Sequence, residues 1–323
     1  RWLFWLPLGV VTLATLAAAF VLPPSPRNEG ERLPLLPAAM LSLSLVAFLL
    51  ALSEGNTWGW ASPPVLSLLA LALVTGVAWT AAEHRAPSPM IDLVMLRRRG
   101  VWTANAVGAC LGFGMFACFA FLPQLLQTPR SSGYGLGASI SESGFLILPS
   151  PMASFAVGFT VAPLVARVGA RAVTCVGVAA TAASFGILAL WHSETWQILV
   201  AAGLQGAGSG LVFATLAGVV IASVPPHQSA VASGMNANVR TVGGALGAAV
   251  VAGIVTHEVN PSGLPVEHGY ALAFGVLAVV TLAGVAAAAA MPRDTPSRLT
   301  GGWQDAADAE FGMIAAAPAP RQD

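Results

Sequence analysis

Polar side chains inside otherwise apolar stretches are the residues of this sequence that could do chemistry. A polar group left unpaired in hydrocarbon costs several kcal/mol, so each one must contact other protein groups or line a water-filled cavity. Around a cavity, amide, carboxylate and guanidinium groups could bind a polar or charged small molecule, and a carboxylate could also carry a proton. The candidate substrate contacts are Asn105, Gln124, Glu142, Gln205, Asn238 and Arg240. The alternative role for the amides, together with Gln127 and Asn236, is hydrogen bonding between helices.

The two charged candidates each have a structural alternative. Ser139 and Glu142 have the spacing of a capping box, which would place the carboxylate at the start of a helix. Arg240 lies near the beginning of a predicted span, where a cation opposes the helix dipole. We therefore expect Arg240 to pair with a neighbouring residue or to contact a ligand.

The sequence lacks the patterns of an enzyme or of a metal site. Gly208-Ser209-Gly210 could hold a nucleophilic serine only with a histidine on a facing helix, and all five histidines lie at span ends or in loops. His257-Glu258 is not followed by a second histidine at metal-ligand spacing, and the absence of lysine excludes a phosphate-binding P-loop. The longest basic run is only Arg97–Arg99, so nucleic acid is not an expected partner. We expect no enzymatic activity, no metal and no bound cofactor.

The elements that position the candidate residues are predicted to be membrane-spanning helices. The chain is 56% hydrophobic and only 9% charged, with a mean hydropathy of +0.76, whereas soluble domains are about 25% charged. A bilayer core requires roughly 20 apolar residues per helix, and irregular backbone cannot face lipid. The predicted fold class is therefore an all-α polytopic integral membrane protein with nine transmembrane helices. The spans are 2–22, 36–52, 64–82, 101–126, 142–165, 172–191, 197–222, 237–256 and 270–291.

Turn-forming residues and prolines delimit these spans. Glu54-Gly55-Asn56 is predicted to form the turn after the second span, and Pro149 and Pro163 to interrupt the fifth. Glycines repeat along single faces of the seventh and eighth spans, and small residues allow close packing of helices in lipid. The predicted helix-packing residues are Gly203, Gly206, Gly210, Gly243 and Gly247.

The arginines predict the orientation of the chain. With nine spans and a cytoplasmic C-terminus, only Arg1 and Arg130 of the 14 basic residues, all arginine, fall outside. Basic residues of short loops remain on the cytoplasmic side, so this orientation is the favoured one. We expect residue 1 on the outer side of the plasma membrane.

Four segments of the sequence carry recognisable motifs, and three of them are 52–60, 141–149 and 232–247. They resemble segments of the fourteen-spanning drug:proton antiporters of the major facilitator superfamily, the EmrB/QacA type. The fourth resembles the loop motif of the superfamily and supplies Leu164, Arg167, Gly169 and Arg171. Ala162 and Ala166 replace the glycine and the aspartate of that motif.

The resemblance implies a domain organisation for the chain. The nine spans would correspond to the sixth to fourteenth helices of the family, so the first five helices would be missing. Residues 1–22 would be the last helix of the N-terminal half, and 23–100 would contain a cytoplasmic loop, two extra central helices and an Arg-rich linker. Residues 101–291 would form the C-terminal six-helix half, built from two inverted three-helix repeats. Residues 292–323 are predicted to be a disordered cytoplasmic tail.

The resemblance also implies a function. It predicts proton-driven efflux of amphipathic or cationic small molecules by alternating access, with the proton gradient as the energy source. The expected partners are the lipid bilayer, a small-molecule substrate and the missing N-terminal helices, without which we expect no transport. The alternatives are a metabolite exporter or symporter of the same fold, and a non-transporting membrane scaffold or decayed fragment.

Overall fold

The structure, a computed structural model, describes residues 2–21, 35–86, 93–225, 228–261 and 263–293. Regular structure in this part of the chain is helical, apart from an isolated bridge between Val259 and Pro265. The helices are α1 (Trp2–Val21), α2 (Leu35–Trp58), α3 (Pro63–Arg85), α4 (Leu93–Leu96), α5 (Arg99–Gln127), α6 (Ile140–Ile147), α7 (Pro149–Val168), α8 (Ala170–Leu190), α9 (Thr195–Ala222), α10 (Ser229–Val255) and α11 (Glu267–Ala289).

Most of the long helices match the predicted spans in place. Within the described residues, eight helices are long and apolar enough to cross a membrane, with α6 and α7 counted as one span. The first predicted span forms α1, which belongs to a separate unit of the chain. The apolar stretch of α1 is Pro7–Phe20. The all-helical fold class is therefore confirmed. The loop predicted from residue 23 and the predicted disordered tail lie largely outside the described residues.

Two predicted boundaries are wrong. The turn predicted at Glu54-Gly55-Asn56 is helical, because α2 continues to Trp58 before the chain turns. Helix α10 begins at Ser229 and not at residue 237, so Arg240 lies well inside the helix and not at its start. In both cases small polar residues continue a helix whose apolar section is shorter than the helix itself.

Two connections bend the chain at defined residues. The predicted interruption of the fifth span is a break at Leu148, where α6 ends and Pro149 begins α7. Proline suits a first helical position because its missing N–H has no intrahelical acceptor there. Helices α7 and α8 are joined by Gly169 alone, whose φ of 84° and ψ of 153° lie in a region open essentially to glycine.

The six-helix bundle from α5 to α11 has an internal two-fold pattern of contacts. Helix α5 packs on α10 and α11, α9 packs on α7 and α8, and α8 packs on α11. Exchanging α5 with α9, α7 with α10 and α8 with α11 leaves this set of contacts unchanged. Each set contains three helices, so the chain ends the first set on the side opposite to where it began. The second set therefore crosses the bundle in the opposite direction. The pattern matches the arrangement of an inverted repeat.

The bundle buries two main apolar clusters, one toward each end. One cluster contains Phe185, Ile198 and Phe274, and the other contains Leu111 and Leu216. Many large apolar side chains remain exposed on the outer faces of the helices, such as Phe155 at 72% and Phe159 at 73% of their surface. A water-soluble surface would not carry apolar patches of this extent, whereas lipid acyl chains solvate them.

Candidate functional site

A polar contact lies between α5 and α10 near their Arg99 and Ser229 ends. The Asn236 amide nitrogen donates to the Ala104 carbonyl oxygen at 3.1 Å and to Asn105 Oδ1 at 3.0 Å. Asn236 is buried, and Gly108 leaves room for it, because a Cβ added at Gly108 would lie 3.2 Å from the Asn236 nitrogen. Asn105 therefore takes part in an interhelical hydrogen bond, which is the alternative role considered for these amides.

Arg240 follows Asn236 by one helical turn on the same face of α10. Its guanidinium carbon lies 4.8 Å from the ring centre of Phe213 on α9, at cation–π distance. The Arg240 backbone contacts α5, where a Cβ at Gly112 would lie 2.1 Å from the Arg240 carbonyl oxygen. Asn105, Asn236 and Arg240 thus follow one seam where α5, α9 and α10 meet.

Gln205 lies within the bundle, away from this seam. Its residue surface is 3% exposed, and its side chain lies beside the Cys118 thiol of α5. Its amide nitrogen has no hydrogen-bond partner in the described part of the chain. An unpaired buried donor costs about 1–3 kcal/mol, so Gln205 remains a candidate for a further polar contact.

Gln124 and Glu142 lie at the other end of the bundle. Gln124 is exposed on α5, roughly 28 Å along the helix axis from Asn105 at 1.5 Å per residue. The capping box predicted for Ser139 and Glu142 is confirmed, with the Ser139 N–H donating to Glu142 Oε2 at 2.8 Å and the Glu142 N–H donating to Ser139 Oγ at 3.3 Å. Glu142 also lines a cavity of about 340 Å³ with Arg130.

The loop beside this cavity is tied to the end of the bundle. The Tyr134 hydroxyl donates to the Pro265 carbonyl, and the Tyr134 and Tyr270 ring centres are 6.0 Å apart. Burial raises the pKa of Tyr134, and the negative charge of Glu267 raises it further. The carboxylate of Glu267 lies 3.3 Å from His192 Nε2, so α11 and the end of α8 are in contact here. The geometry of this contact is not that of a hydrogen bond.

Asn238 lies on a different face of α10 from Asn236 and Arg240. It is exposed and lines a small cavity of about 190 Å³ against Leu41 and Leu45 of α2. Residues two apart on a helix point in nearly opposite directions, since 3.6 residues make one turn. The six candidate residues therefore do not surround one cavity in the described residues, but divide among the seam, the bundle interior, one bundle end and the α2 side.

Four of the five predicted packing glycines lie where helices approach closely. A Cβ at Gly206 would lie 1.9 Å from the Ser150 carbonyl oxygen of α7, and one at Gly210 would lie 2.8 Å from that of Ser154. A Cβ at Gly243 would lie 2.3 Å from the Ala109 carbonyl oxygen of α5, and one at Gly247 would lie 2.1 Å from that of Phe113.

Gly203 differs from the other four glycines, because a Cβ there would meet no atom within 4 Å. Close helix approach therefore does not explain it in the described structure.

The loop-motif residues surround the α7–α8 connection. Leu164 and Arg167 are exposed on the last turns of α7, Gly169 makes the turn, and Arg171 is half-buried in the first turn of α8. Gly169 thus has a defined conformational role, whereas the two arginines present their charges at one end of the bundle.

The buried carboxylate of Glu83 was missed by the sequence analysis. Glu83 is 3% exposed on α3, and neither of its oxygens has a hydrogen-bond partner in the described residues. Trp79, one turn earlier, is also buried, with an unpaired indole N–H. The third span was predicted to end at residue 82, so Glu83 lay just outside it. An acidic residue directly after an apolar stretch is the pattern that would have identified it.

Asn56 was missed because it was assigned to a turn. Its amide nitrogen donates to the Ala249 carbonyl oxygen of α10 at 2.9 Å, and its amide oxygen accepts from Trp60 Nε1 at 3.1 Å. Asn56 therefore connects α2 to the bundle. Among the described residues, no three or more His, Cys, Asp or Glu side chains group together as metal ligands.

Comparison with known proteins identifies a family. The family model described as the Major Facilitator Superfamily matches residues 104–315. The match covers the six-helix bundle from α5 to α11 almost completely.

Individual relatives are bacterial resistance proteins. The chain is 26% identical to the "Multidrug resistance protein B homolog" of Mycobacterium tuberculosis (strain ATCC 25618 / H37Rv) over 272 residues, 81% of this chain and 48% of that protein. It is 28% identical to the "Tetracycline resistance determinant" of Streptomyces rimosus over 218 residues, 66% of this chain and 61% of that protein. It is 29% identical to the "Methylenomycin A resistance protein" of Streptomyces coelicolor over 253 residues, 76% of this chain and 49% of that protein. The chain spans about half the length of most of these relatives.

Proposed function

Because this chain belongs to the major facilitator superfamily, we propose that it is part of a membrane transporter that exports small molecules by alternating access. The observation that carries the proposal is the family match over residues 104–315 together with relatives named for resistance to several drugs. The same assignment supports a transporter over an enzyme. A multi-pass location in the plasma membrane is part of the proposal.

We further propose that the chain corresponds to the C-terminal portion of a fourteen-helix drug:proton antiporter. The resemblance of segments 52–60 and 141–149 to that type supports this assignment, and the relatives are about twice as long as the matched region. The six-helix bundle would then rock against an N-terminal partner bundle, driven by the proton gradient. The transported molecules would be amphipathic or cationic.

The internal two-fold pattern of the bundle is compatible with such rocking. Contacts at Gly206 and Gly243 bring helix backbones together without interlocking side chains. Smooth helix surfaces offer little steric resistance when one helix shifts along another. The candidate substrate contacts under this proposal remain Asn105, Gln124, Glu142, Gln205, Asn238 and Arg240.

An efflux assay tests the proposed function. The complete reading frame that encodes this chain is expressed in a bacterium lacking its own drug exporters, and ethidium accumulation is followed by fluorescence. We expect lower accumulation than with an empty vector, and loss of the difference when a protonophore collapses the proton gradient. Equal accumulation with and without the protein would contradict export, and export that survives the protonophore would contradict proton coupling.

Two variants test the charged candidate contacts. Arg240→Ala and Glu142→Gln are expected to slow ethidium efflux several-fold if these side chains contact substrate or protons. The matched control is Glu194→Gln, because Glu194 is also an exposed carboxylate in a capping box, at the start of α9. Efflux that falls equally in Glu142→Gln and Glu194→Gln would indicate a capping role alone.

A further inference from the structure

Helix α2 lies alongside the bundle with unfilled space between it and α10. A cavity of about 640 Å³ is bounded by α2, α5 and α10, and the smaller cavity of about 190 Å³ is bounded by the same three helices. Leu41 and Leu45 line the smaller cavity, and Leu49 and Leu52 line the larger one, so a single face of α2 covers both.

Small residues on α10 create the space. At the larger cavity the α10 wall consists of four alanines and Thr256, with Ala248 and Ala252 one turn apart. The α2 leucines would fill the space beside the α10 alanines only if the two helices lay as close together as α5 and α10 do at their glycines. Asn56 keeps α2 in place through its hydrogen bond to the Ala249 carbonyl, so the helices are attached beside a space that remains open.

The lining of the larger cavity is uncharged. Its residues are Leu49, Leu52, Ser53, Asn56, Thr57, Ala120, Phe121, Ala245, Ala248, Ala249, Ala252 and Thr256. Apolar side chains form most of the wall, and the polar members gather toward the C-terminal ends of α2 and α10. Ligand pockets typically have about 300–1,000 Å³, an apolar wall and a few polar groups that orient the ligand, and this cavity fits that description.

We propose that the cavity between α2 and the α5–α10 pair is a binding site for an uncharged lipophilic molecule with one polar end. Its apolar body contacts Leu49, Leu52 and Phe121, and its polar end contacts the hydroxyls of Ser53 and Thr57. An organic cation is a poor occupant, because burying a charge without a counter-charge is costly and no acidic side chain among the described residues lines the cavity.

The position of α2 suggests how such a molecule reaches the site. Leu43, Val46 and Leu50 lie on the other side of α2 and are exposed. Helix α2 therefore separates the cavity from the surroundings of the bundle, and a molecule dissolved in the bilayer could enter along its edges. That the bound molecule is cargo rests on the proposed function, whereas binding itself does not.

Direct binding tests the inference. The chain is reconstituted in lipid nanodiscs, and binding of tritiated progesterone is measured by scintillation proximity against empty nanodiscs. Progesterone is uncharged and lipophilic, and a ketone oxygen at one end of its apolar ring system can accept hydrogen bonds from the Ser53 and Thr57 hydroxyls. We expect saturable binding that unlabelled progesterone displaces and that tetraphenylphosphonium, a lipophilic cation, displaces at least tenfold less well.

Variants that fill the cavity locate the binding. Ala248→Leu and Ala252→Leu, made separately, are each expected to weaken progesterone binding at least tenfold. The control is Ala183→Leu, which adds the same bulk at an exposed position of α8 and should leave binding unchanged. Size-exclusion profiles identify any variant that does not fold, and the other filled variant then decides the outcome.

The results separate the inference from the proposed function. No saturable binding, unchanged binding in a folded filled variant, or equal displacement by tetraphenylphosphonium would overturn the inference. Ethidium efflux that persists in the filled variants would leave the proposed export intact in that case. Binding that depends on Ala248 and Ala252 would support the site even if the efflux assay failed.

Discussion

At the residue scale, several amide side chains of this protein make contacts between helices. Asn236 joins α10 to α5 through two acceptors, and Asn56 joins α2 to α10 through one. In lipid an amide without such a partner would be exposed to hydrocarbon, so pairing determines the rotation of the helix that carries it. Arg240 satisfies its charge in part through the Phe213 ring, and within the described ranges no residue accepts a hydrogen bond from its guanidinium group, whose donors could contact a ligand or water.

The Asn236 contact predicts a loss of stability on substitution. Asn236→Ala is expected to lower the free energy of unfolding by about 1 kcal/mol, because interhelical hydrogen bonds in membranes average about 0.6 kcal/mol and two are lost. Unfolding by SDS in mixed micelles measures the change, and a double-mutant cycle with Asn105→Ala isolates the pair. Asn238→Ala, at an exposed position two residues away, is the control and should change stability by less than about 0.5 kcal/mol. Equal effects of the two substitutions would contradict this assignment.

Substitution of Glu83 is expected to raise stability, in contrast to substitution of Asn236. Neither carboxylate oxygen has a hydrogen-bond partner among the described residues although Glu83 is buried, and an unsatisfied buried polar group costs about 1–3 kcal/mol. Glu83→Met is therefore expected to raise the free energy of unfolding by about 1 kcal/mol or more, measured in the same micelles. Glu258→Met, at an exposed acidic position, should have little effect. Destabilisation by Glu83→Met would show that the folded protein uses the carboxylate, which would make it a functional candidate of the kind that ionisable groups in membrane spans usually are.

At the scale of elements, glycines determine how closely the helices of the bundle pack. Gly112 on α5 and Gly243 on α10 make reciprocal close approaches, and Gly206 on α9 makes the equivalent approach to α7. Because apolar side chains gain little by leaving lipid, this close packing supplies much of the attraction between helices. The α5–α10 and α7–α9 pairs are the ones that correspond under the internal two-fold pattern.

The contrast between Gly206 and Gly203 tests this packing on one helix. Gly206→Ala would place a Cβ 1.9 Å from the Ser150 carbonyl oxygen, so the helices must separate, at an expected cost of about 1–3 kcal/mol. Gly203→Ala has open space and should be neutral or stabilising by up to about 1 kcal/mol, because alanine favours the helix. Thermal unfolding in detergent compares the two variants. Equal melting temperatures would show that the helices adjust without cost.

At the scale of the whole molecule, the arginines and the helix order together predict orientation. The α7–α8 connection carries Arg167 and Arg171, whereas the segment between α8 and α9 carries Glu194 and no arginine. These connections lie at opposite ends of α8. Basic residues of short loops stay in the cytoplasm, so the α7–α8 end is expected to face inward.

Labelling of single cysteines in intact cells measures this orientation. In a background in which Cys110, Cys118 and Cys175 are replaced by serine, Ser193→Cys is expected to react with a membrane-impermeant maleimide added outside. Val168→Cys, exposed at the other end of α8, should react only after the cells are opened. The reverse pattern would overturn the proposed orientation, and equal labelling of both positions in intact cells would show that the chain does not insert in one direction.

Much of the fold could be predicted because hydrocarbon permits few backbone structures. Apolar length gave the positions of most long helices within a few residues, and the Ser139–Glu142 spacing correctly predicted a helix cap. The C-terminal end of α2 and the start of α10 could not be predicted, since their polar residues continue the helix only where they find partners. Asn56 shows the reason, because its acceptor on Ala249 is 193 residues away.

The sequence alone determined that this protein is an all-helical membrane bundle and which face of each glycine-rich helix is smooth, because composition and helical periodicity are local properties. Only the tertiary structure decided that Asn236 contacts Asn105 while Asn238 lines the α2 cavity, that Gly206 is packed and Gly203 is not, and that Glu83 is buried with no partner in the described part of the chain. These outcomes depend on the rotation and separation of helices distant in sequence. Rotation and separation are set by the packing of the whole bundle, which no single segment encodes.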